Sequence, residues 1–176
     1  MLWSRLLGLI EPRYPKGKTG LLPFRIATML QIQFMQQWLC LSDPAMEGAQ
    51  YDVPPHREFA GLDGGMARWP DESTILRFRH LLETYGLAAQ ILSLVNEILT
   101  EKRPMLKTGA AVDATLIAPA SSTKNGSSTR DPEIQSTQKG GDWYFGMRSH
   151  MGVDASSDLV HTVIRTAASV HDITIA

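Results

Sequence analysis

One carboxylate stands out in this 176-residue chain for the company it keeps. Asp113 lies inside Ala110-Ala111-Val112-Asp113-Ala114-Thr115-Leu116-Ile117, an otherwise apolar run that reads as a β-strand. An aspartate in a buried strand is costly unless a cation or hydrogen-bond donors hold its charge, so burial is expected to push its pKa up. One carboxylate is also a fraction of a divalent-cation site, which takes two or three to hold two Mg²⁺ ions. The remaining chemistry is cationic. Lys16 and Lys18 sit in a Pro/Gly-rich connector. Arg77, Arg79 and His80 share a predicted helix, Lys124, Arg130 and Lys139 fall in a polar loop, and Arg148 lies on a second strand. All are candidates for phosphate contact. His150, His161 and His171 are too scattered to form a ligand set. There is no Gly-rich phosphate loop with a following Lys, no Cys/His zinc pattern and no Gly-x-Ser-x-Gly elbow.

The elements that position these groups follow from periodicity. Apolar residues in the first ten positions predict a short amphipathic helix, and residues 12–20 a basic connector. From Pro23 to Leu41 the spacing of Ile26, Met29, Leu30, Phe34, Trp38 and Leu41 predicts an amphipathic helix with that stripe in the core. Ser42 or Asp43 caps a following helix, and residues 51–70 read as short helical pieces and loops. Asp71 is the expected N-cap of a helix whose apolar face is Ile75, Phe78, Leu82 and Tyr85. Gly86 stops it, and a second helix runs from Leu87 to about Leu99. Two helices joined at a glycine form either a DNA-reading helix-turn-helix or a plain αα-hairpin. After the first strand, residues 118–142 predict a long loop. Its length points to function or disorder. The second strand, Trp143 to Asp154, alternates: Trp143, Phe145, Met147, Met151 and Val153 share one face, Tyr144, Arg148, His150 and Asp154 the other. A third strand spans Leu159 to Thr166 after a Ser-Ser-Asp turn.

Helices first and strands late predict an α+β chain: a helical domain over 1–104, then an incomplete sheet domain over 105–176. Net charge is −1, yet residues 1–30 carry five Lys/Arg against one acid, while residues 31–106 carry six against ten. A basic arm on a neutral chain fits a nucleic-acid partner, and a solvated surface equally. The single cysteine, Cys40, excludes an intramolecular disulfide and fits a reducing, cytoplasmic setting. No apolar run approaches the ~20 residues that span a bilayer, so no membrane partner is expected.

Several stretches, in one order, resemble the transposases of the bacterial insertion sequence 5 group. Pro70-Asp71-Glu72-Ser73-Thr74-Ile75-Leu76-Arg77-Phe78-Arg79-His80 resembles their helical domain. Val112-Asp113-Ala114-Thr115, Arg130-Asp131-Pro132-Glu133, Trp143-Tyr144-Phe145-Gly146-Met147-Arg148, His150-Met151-Gly152-Val153-Asp154 and Ser169-Val170-His171-Asp172 resemble the start of their catalytic domain. The resemblance implies a DDE transposase, with a ribonuclease H-like core in which Asp, Asp and Glu bind Mg²⁺ (or Mn²⁺) to cut and rejoin DNA. Asp113 falls on the first catalytic aspartate and metal ligand. The second Asp and the Glu lie further downstream in the family, and no residue here takes their places. Asp154 and Asp172 are not promoted to them. The expectation is therefore a carboxy-terminally truncated form, with the first three strands of the sheet, weak or absent metal binding and no transposition alone. The implied partners are the DNA ends of an insertion sequence, and the helical domain is compatible with a homo-oligomer. The alternative is a non-catalytic DNA-binding fragment, acting as repressor or dominant-negative partner.

Overall fold

The computed structural model describes residues 2–17, 20–62, 68–101, 110–118, 133–155 and 157–171. The chain divides into two compact units, Met1–Val95 and Asn96–Ala176.

The first unit is helical. It holds α1 (Leu2–Ile10), a 3-10 turn at Glu11–Arg13, α2 (Ile26–Trp38), α3 (Asp43–Asp52), α4 (Pro54–Ala60) and α5 (Glu72–Thr84). It also takes α6 (Leu87–Glu101) as far as Val95. Ser42 Oγ accepts from the Ala45 N–H at 3.4 Å and caps α3. Asp71 Oδ1 accepts from the Thr74 N–H at 2.7 Å and caps α5, as its position predicts. Two apolar clusters fill the interior. One joins Leu6, Ile10, Phe24, Met29, Leu30, Phe78, Leu82, Leu87 and Ile91. The other joins Ile32, Met35, Met46, Ala60, Leu62 and Ile75. Each such side chain, fully buried, contributes roughly 1.5–3 kcal/mol.

α2 feeds both clusters, which corrects the single stripe expected of it. Met29 and Leu30 point into the first, Ile32 and Met35 into the second, and Gln36 between them is buried. Trp38, expected in the core, is 69% exposed. A helix that packs on two sides has no room left on its core faces for the far end of a 3–4 stripe. Tyr85, likewise expected on the apolar face of α5, is exposed with the Arg13 guanidinium 5.0 Å from its ring centre.

The second unit carries a four-stranded antiparallel sheet: β1 (Ala110–Ile117), β2 (Gln135–Lys139), β3 (Asp142–Asp154) and β4 (Val160–Ala167). β1 has the bounds predicted, and β3 and β4 lie within one residue of theirs. β2 was not expected: it forms inside the predicted loop, and makes four strands where three were anticipated. It closes on β3 through Gly140-Gly141, whose φ values of 62° and 95° favour glycine. β3 is the hub. Residues 147–154 pair with β1, residues 147–153 pair with β4, and residues 142–146 pair with β2. Since β1 and β4 share the same β3 residues, they lie on its opposite edges. At Gly146 a Cβ would stand 2.2 Å from the Ile117 carbonyl oxygen, so the junction of β1 with β3 demands glycine there.

Burial in β3 falls on the face that carries the polar residues. The buried residues are Gly146, His150, Gly152 and Asp154. The apolar face is the more open one, with Trp143 73% exposed. Partners explain it. His150 Nε2 lies 2.8 Å from Thr166 Oγ1, and Asp154 Oδ1 accepts from the Ser157 N–H at 3.0 Å.

Candidate functional site

Register places Asp113 on the open face of the sheet. Directly opposite residues share a face in an antiparallel pair, so one row reads Asp113, Met151, Val163. The next reads Thr115, Ser149, Arg165, and the next Ile117, Met147, Ala167. Asp113 is solvent-exposed, and its Oδ1 accepts from the Ala114 N–H at 2.8 Å. The desolvated carboxyl expected from the apolar run is thus corrected: β1 is an edge strand among the described residues, and water solvates the charge. Arg165 is the cation one row away. Its Nη2 stands 3.8 Å from Glu133 Oε2, both side chains about two-thirds exposed (66% and 65%). Such a pair is loosely held and yields easily to another anion.

Arg148 sits on the other face, one side of the sheet removed from Asp113. Its Nη1 donates to the Val170 carbonyl at 3.0 Å, and it is half-buried. Lys139 is exposed where β2 turns into β3. Lys18, Lys124 and Arg130 lie outside the described residues.

In the helical unit the predicted cations separate into two roles. Arg79 Nη2 lies 2.8 Å from Asp43 Oδ2, while Gln36 Nε2 donates to the other oxygen of Asp43 at 2.7 Å. Arg79 therefore ties α5 to the start of α3. Arg77 is exposed and lines a cleft of about 460 Å³ with Asp71, Thr74, Phe24 and Trp69. Lys16, also exposed, stands between two further lining residues, Pro15 and Gly17. Arg68 closes the rim. Its guanidinium lies 4.2 Å from the Phe24 ring centre and donates to the Leu22 carbonyl at 2.6 Å. Opposing these cations, Asp71 keeps its charge: the Thr74 hydroxyl, and then the Thr74 N–H, hold its pKa below the ordinary 3.8. Beneath the cleft, burial pushes the Tyr14 hydroxyl up to about 12, and it donates to the Phe24 carbonyl at 2.8 Å.

Residues 2–81 match the family described as Transposase domain (DUF772), and residues 104–176 match the family described as Transposase DDE domain. Both are transposase domains, and together they support a DDE transposase. No solved structure matches it. The helical match lies inside the first compact unit, and Asp113 and the whole sheet lie inside the DDE match. DDE transposases act on DNA and use a divalent metal. The described residues do not by themselves make a place for one. Asp113 is one carboxylate, and no group of three His, Cys, Asp or Glu among them is placed to hold a metal ion. Nor is any described helix long and apolar enough to cross a membrane.

Two cations escaped the sequence reading. Arg165 reaches the Asp113 face only through β3, which pairs with both strands. Arg68 reaches the cleft beside Arg77 from a stretch with no periodicity. Pairing register was the signal for the first. Nothing in the sequence pointed to the second.

Proposed function

We propose that this chain serves the transposition of a bacterial insertion sequence of the insertion sequence 5 group, in the cytoplasm. The helical unit binds the element's DNA, and Asp113 supplies the first carboxylate of a ribonuclease H-like, Mg²⁺- or Mn²⁺-dependent centre. The observation that carries this reading is the exposed carboxylate of Asp113 on an open sheet face, within the segment that matches the DDE domain. Lys16, Arg68 and Arg77 around the cleft, and Arg165 and Lys139 on the sheet, are the described cations for phosphates. Such contacts position DNA without specifying its sequence. Arg79 and Arg148, held by Asp43 and the Val170 carbonyl, act instead by holding the units' own architecture.

A second reading has its own observation. Asp113 has no carboxylate neighbours placed to share a metal among the described residues. A chain limited to that carboxylate binds DNA without cutting it, and acts as a repressor or dominant-negative partner. One experiment tests both. The purified chain is mixed with labelled duplexes carrying the element's ends, with Mg²⁺ or Mn²⁺, and both binding and strand cleavage are followed. Salt-sensitive binding without cleavage is expected. Cleavage by the chain alone eliminates the second reading, and failure to bind at low salt eliminates both.

A further inference from the structure

The cleft of the helical unit is deeper than phosphate contact requires. A backbone phosphate is met by cations at a surface, and Arg68 and Arg77 supply them at the rim. Below them lies a cavity of about 460 Å³, within the range of sites that enclose a small molecule. All of its lining falls in the first compact unit.

That lining has two halves. The wall is aromatic, with Tyr14, Phe24, Trp69 and Phe78 all contributing to it. Tyr14 meets Phe78 edge-on with ring centres 6.2 Å apart, and its hydroxyl is already spent on the Phe24 carbonyl at 2.8 Å. The wall therefore offers rings, and aromatic pairs gain beyond the area they bury. The rim is cationic. Arg77 is exposed on it, and the Arg68 guanidinium lies 4.2 Å from the Phe24 ring centre. Asp71 is the one acid among the described lining residues, and Ser73 and Thr74 donate to it. Two guanidiniums against one committed carboxylate leave the rim positive.

Charge and shape together decide the occupant. A planar ring joined to a phosphate matches both halves, and a nucleotide is such a molecule. An aliphatic side chain would fill the same volume but forgo the ring contacts, and an inorganic anion would leave the wall bare. We propose that the cleft is a nucleotide-binding site, in which one unpaired base enters against the aromatic wall while its phosphate meets Arg68 and Arg77. The proposal rests on the DNA reading for the source of that nucleotide, a strand end or an unpaired position. Every base has a π-face, so the site distinguishes unpaired strand from duplex without reading sequence.

Equilibrium dialysis of the full chain tests it. dAMP is compared with deoxyadenosine, which lacks the phosphate, and with inorganic phosphate, which lacks the base. A short oligo-dA strand is compared with the same strand paired to its complement, at equal salt. dAMP should bind at least ~10-fold more tightly than either half, and the single strand at least ~10-fold more tightly than the duplex. Leu22, which lines the cleft and is 72% exposed, can be changed without disturbing the core. Leu22→Glu sets an anion at the mouth, and Leu81→Trp fills the cavity. Each, checked by circular dichroism for unchanged helix content, should weaken dAMP binding at least ~10-fold. Binding of dAMP with no preference for the single strand keeps the site, gives it to free nucleotides and severs it from the DNA reading. Phosphate bound as tightly as dAMP overturns the site, as does dAMP binding indifferent to both substitutions. The acidic peptide Glu-Trp-Glu binding where dAMP does not also overturns it, and gives the cleft to a protein partner. In either case duplex binding, followed in parallel, leaves the DNA reading standing; a chain that holds neither nucleotide, strand nor duplex overturns both.

Discussion

Two aspartates of this chain show opposite uses of one functional group. Asp71 has its charge committed to a helix end, where Thr74 and Ser73 donate to it. Asp71→Ala should cost about 1 kcal/mol of stability at neutral pH, read from a urea midpoint. Its folded pKa is lowered, so the stabilisation is complete above the unfolded value of 3.8 and disappears as pH falls through the lower folded value. The gap between the wild-type and Asp71→Ala curves should therefore be complete well above the unfolded value of 3.8 and narrow as pH falls below it; a gap that stays complete in acid would mean the charge is not what matters. Asp113 commits nothing comparable. Among the described residues only the N–H of Ala114 donates to its carboxylate, and the residue is exposed. Asp113→Asn should change stability by less than about 0.5 kcal/mol. A loss of 2 kcal/mol would turn Asp113 into a structural residue and remove it from the candidate site. The arginines divide in the same way. Arg77→Ala should weaken DNA binding with stability unchanged. Arg79→Ala leaves half-buried Asp43 short of a partner and should cost about 1–3 kcal/mol. Equal stabilities for the two variants would refute the division.

At the level of elements, legibility followed the source of the order. β1 was readable to the residue because its apolar run is bounded by turn signals, and the N-caps at Ser42 and Asp71 were readable because capping is local chemistry. β2 was invisible. Gln135-Ser136-Thr137-Gln138-Lys139 has no apolar alternation, and it is a strand because Gly140-Gly141 folds it onto β3. The faces of β3 were readable but their burial was not, since alternation separates two faces without saying which one finds partners. His150 and Asp154 found theirs in Thr166 and Ser157, residues up to sixteen positions away. The stripe of α2 misled for a related reason: its far end lies at the surface, and the packing of two clusters against one helix leaves no mark on spacing. Of the candidate site, Asp113 and Arg77 were legible as residue types in a pattern, while Arg165 and Arg68 depend on contacts that cross the sequence. Gly146 is the element-scale test. Gly146→Ala puts a methyl against the Ile117 carbonyl oxygen, so β1 must shift on β3. The second unit should lose about 2 kcal/mol or more, seen as faster amide exchange across β1, with α1 to α5 unaffected. Unchanged exchange in β1 would show that the junction has slack.

For the whole molecule, the net charge of −1 conceals a separation of signs, with the basic arm at one end of the chain and ten of the eighteen acids in residues 31–106. Binding to duplex DNA should then be governed by a few local contacts and not by overall attraction. A plot of log affinity against log salt should be linear, and removing Arg68 or Arg77 should each lower its slope by about 1. Slopes unmoved by both substitutions would place the DNA elsewhere on the chain.

β3 pairs with all three other strands of its sheet, and that sets an order in time. β1 leaves the ribosome first, yet its nearest partner residue, Met147 for Ile117, comes thirty positions later. At 5–20 residues per second the nascent strand waits roughly 2–6 s for it. β2 and β4 meet β3 through short connections, whereas β1 must close the longest loop. The strand that bears Asp113 is thus made earliest and waits longest for its partner. An apolar segment left unpaired for seconds is an aggregation hazard during synthesis. Yield of this protein in cells should therefore depend more on translation speed after Ile117 than on the stability of the finished sheet.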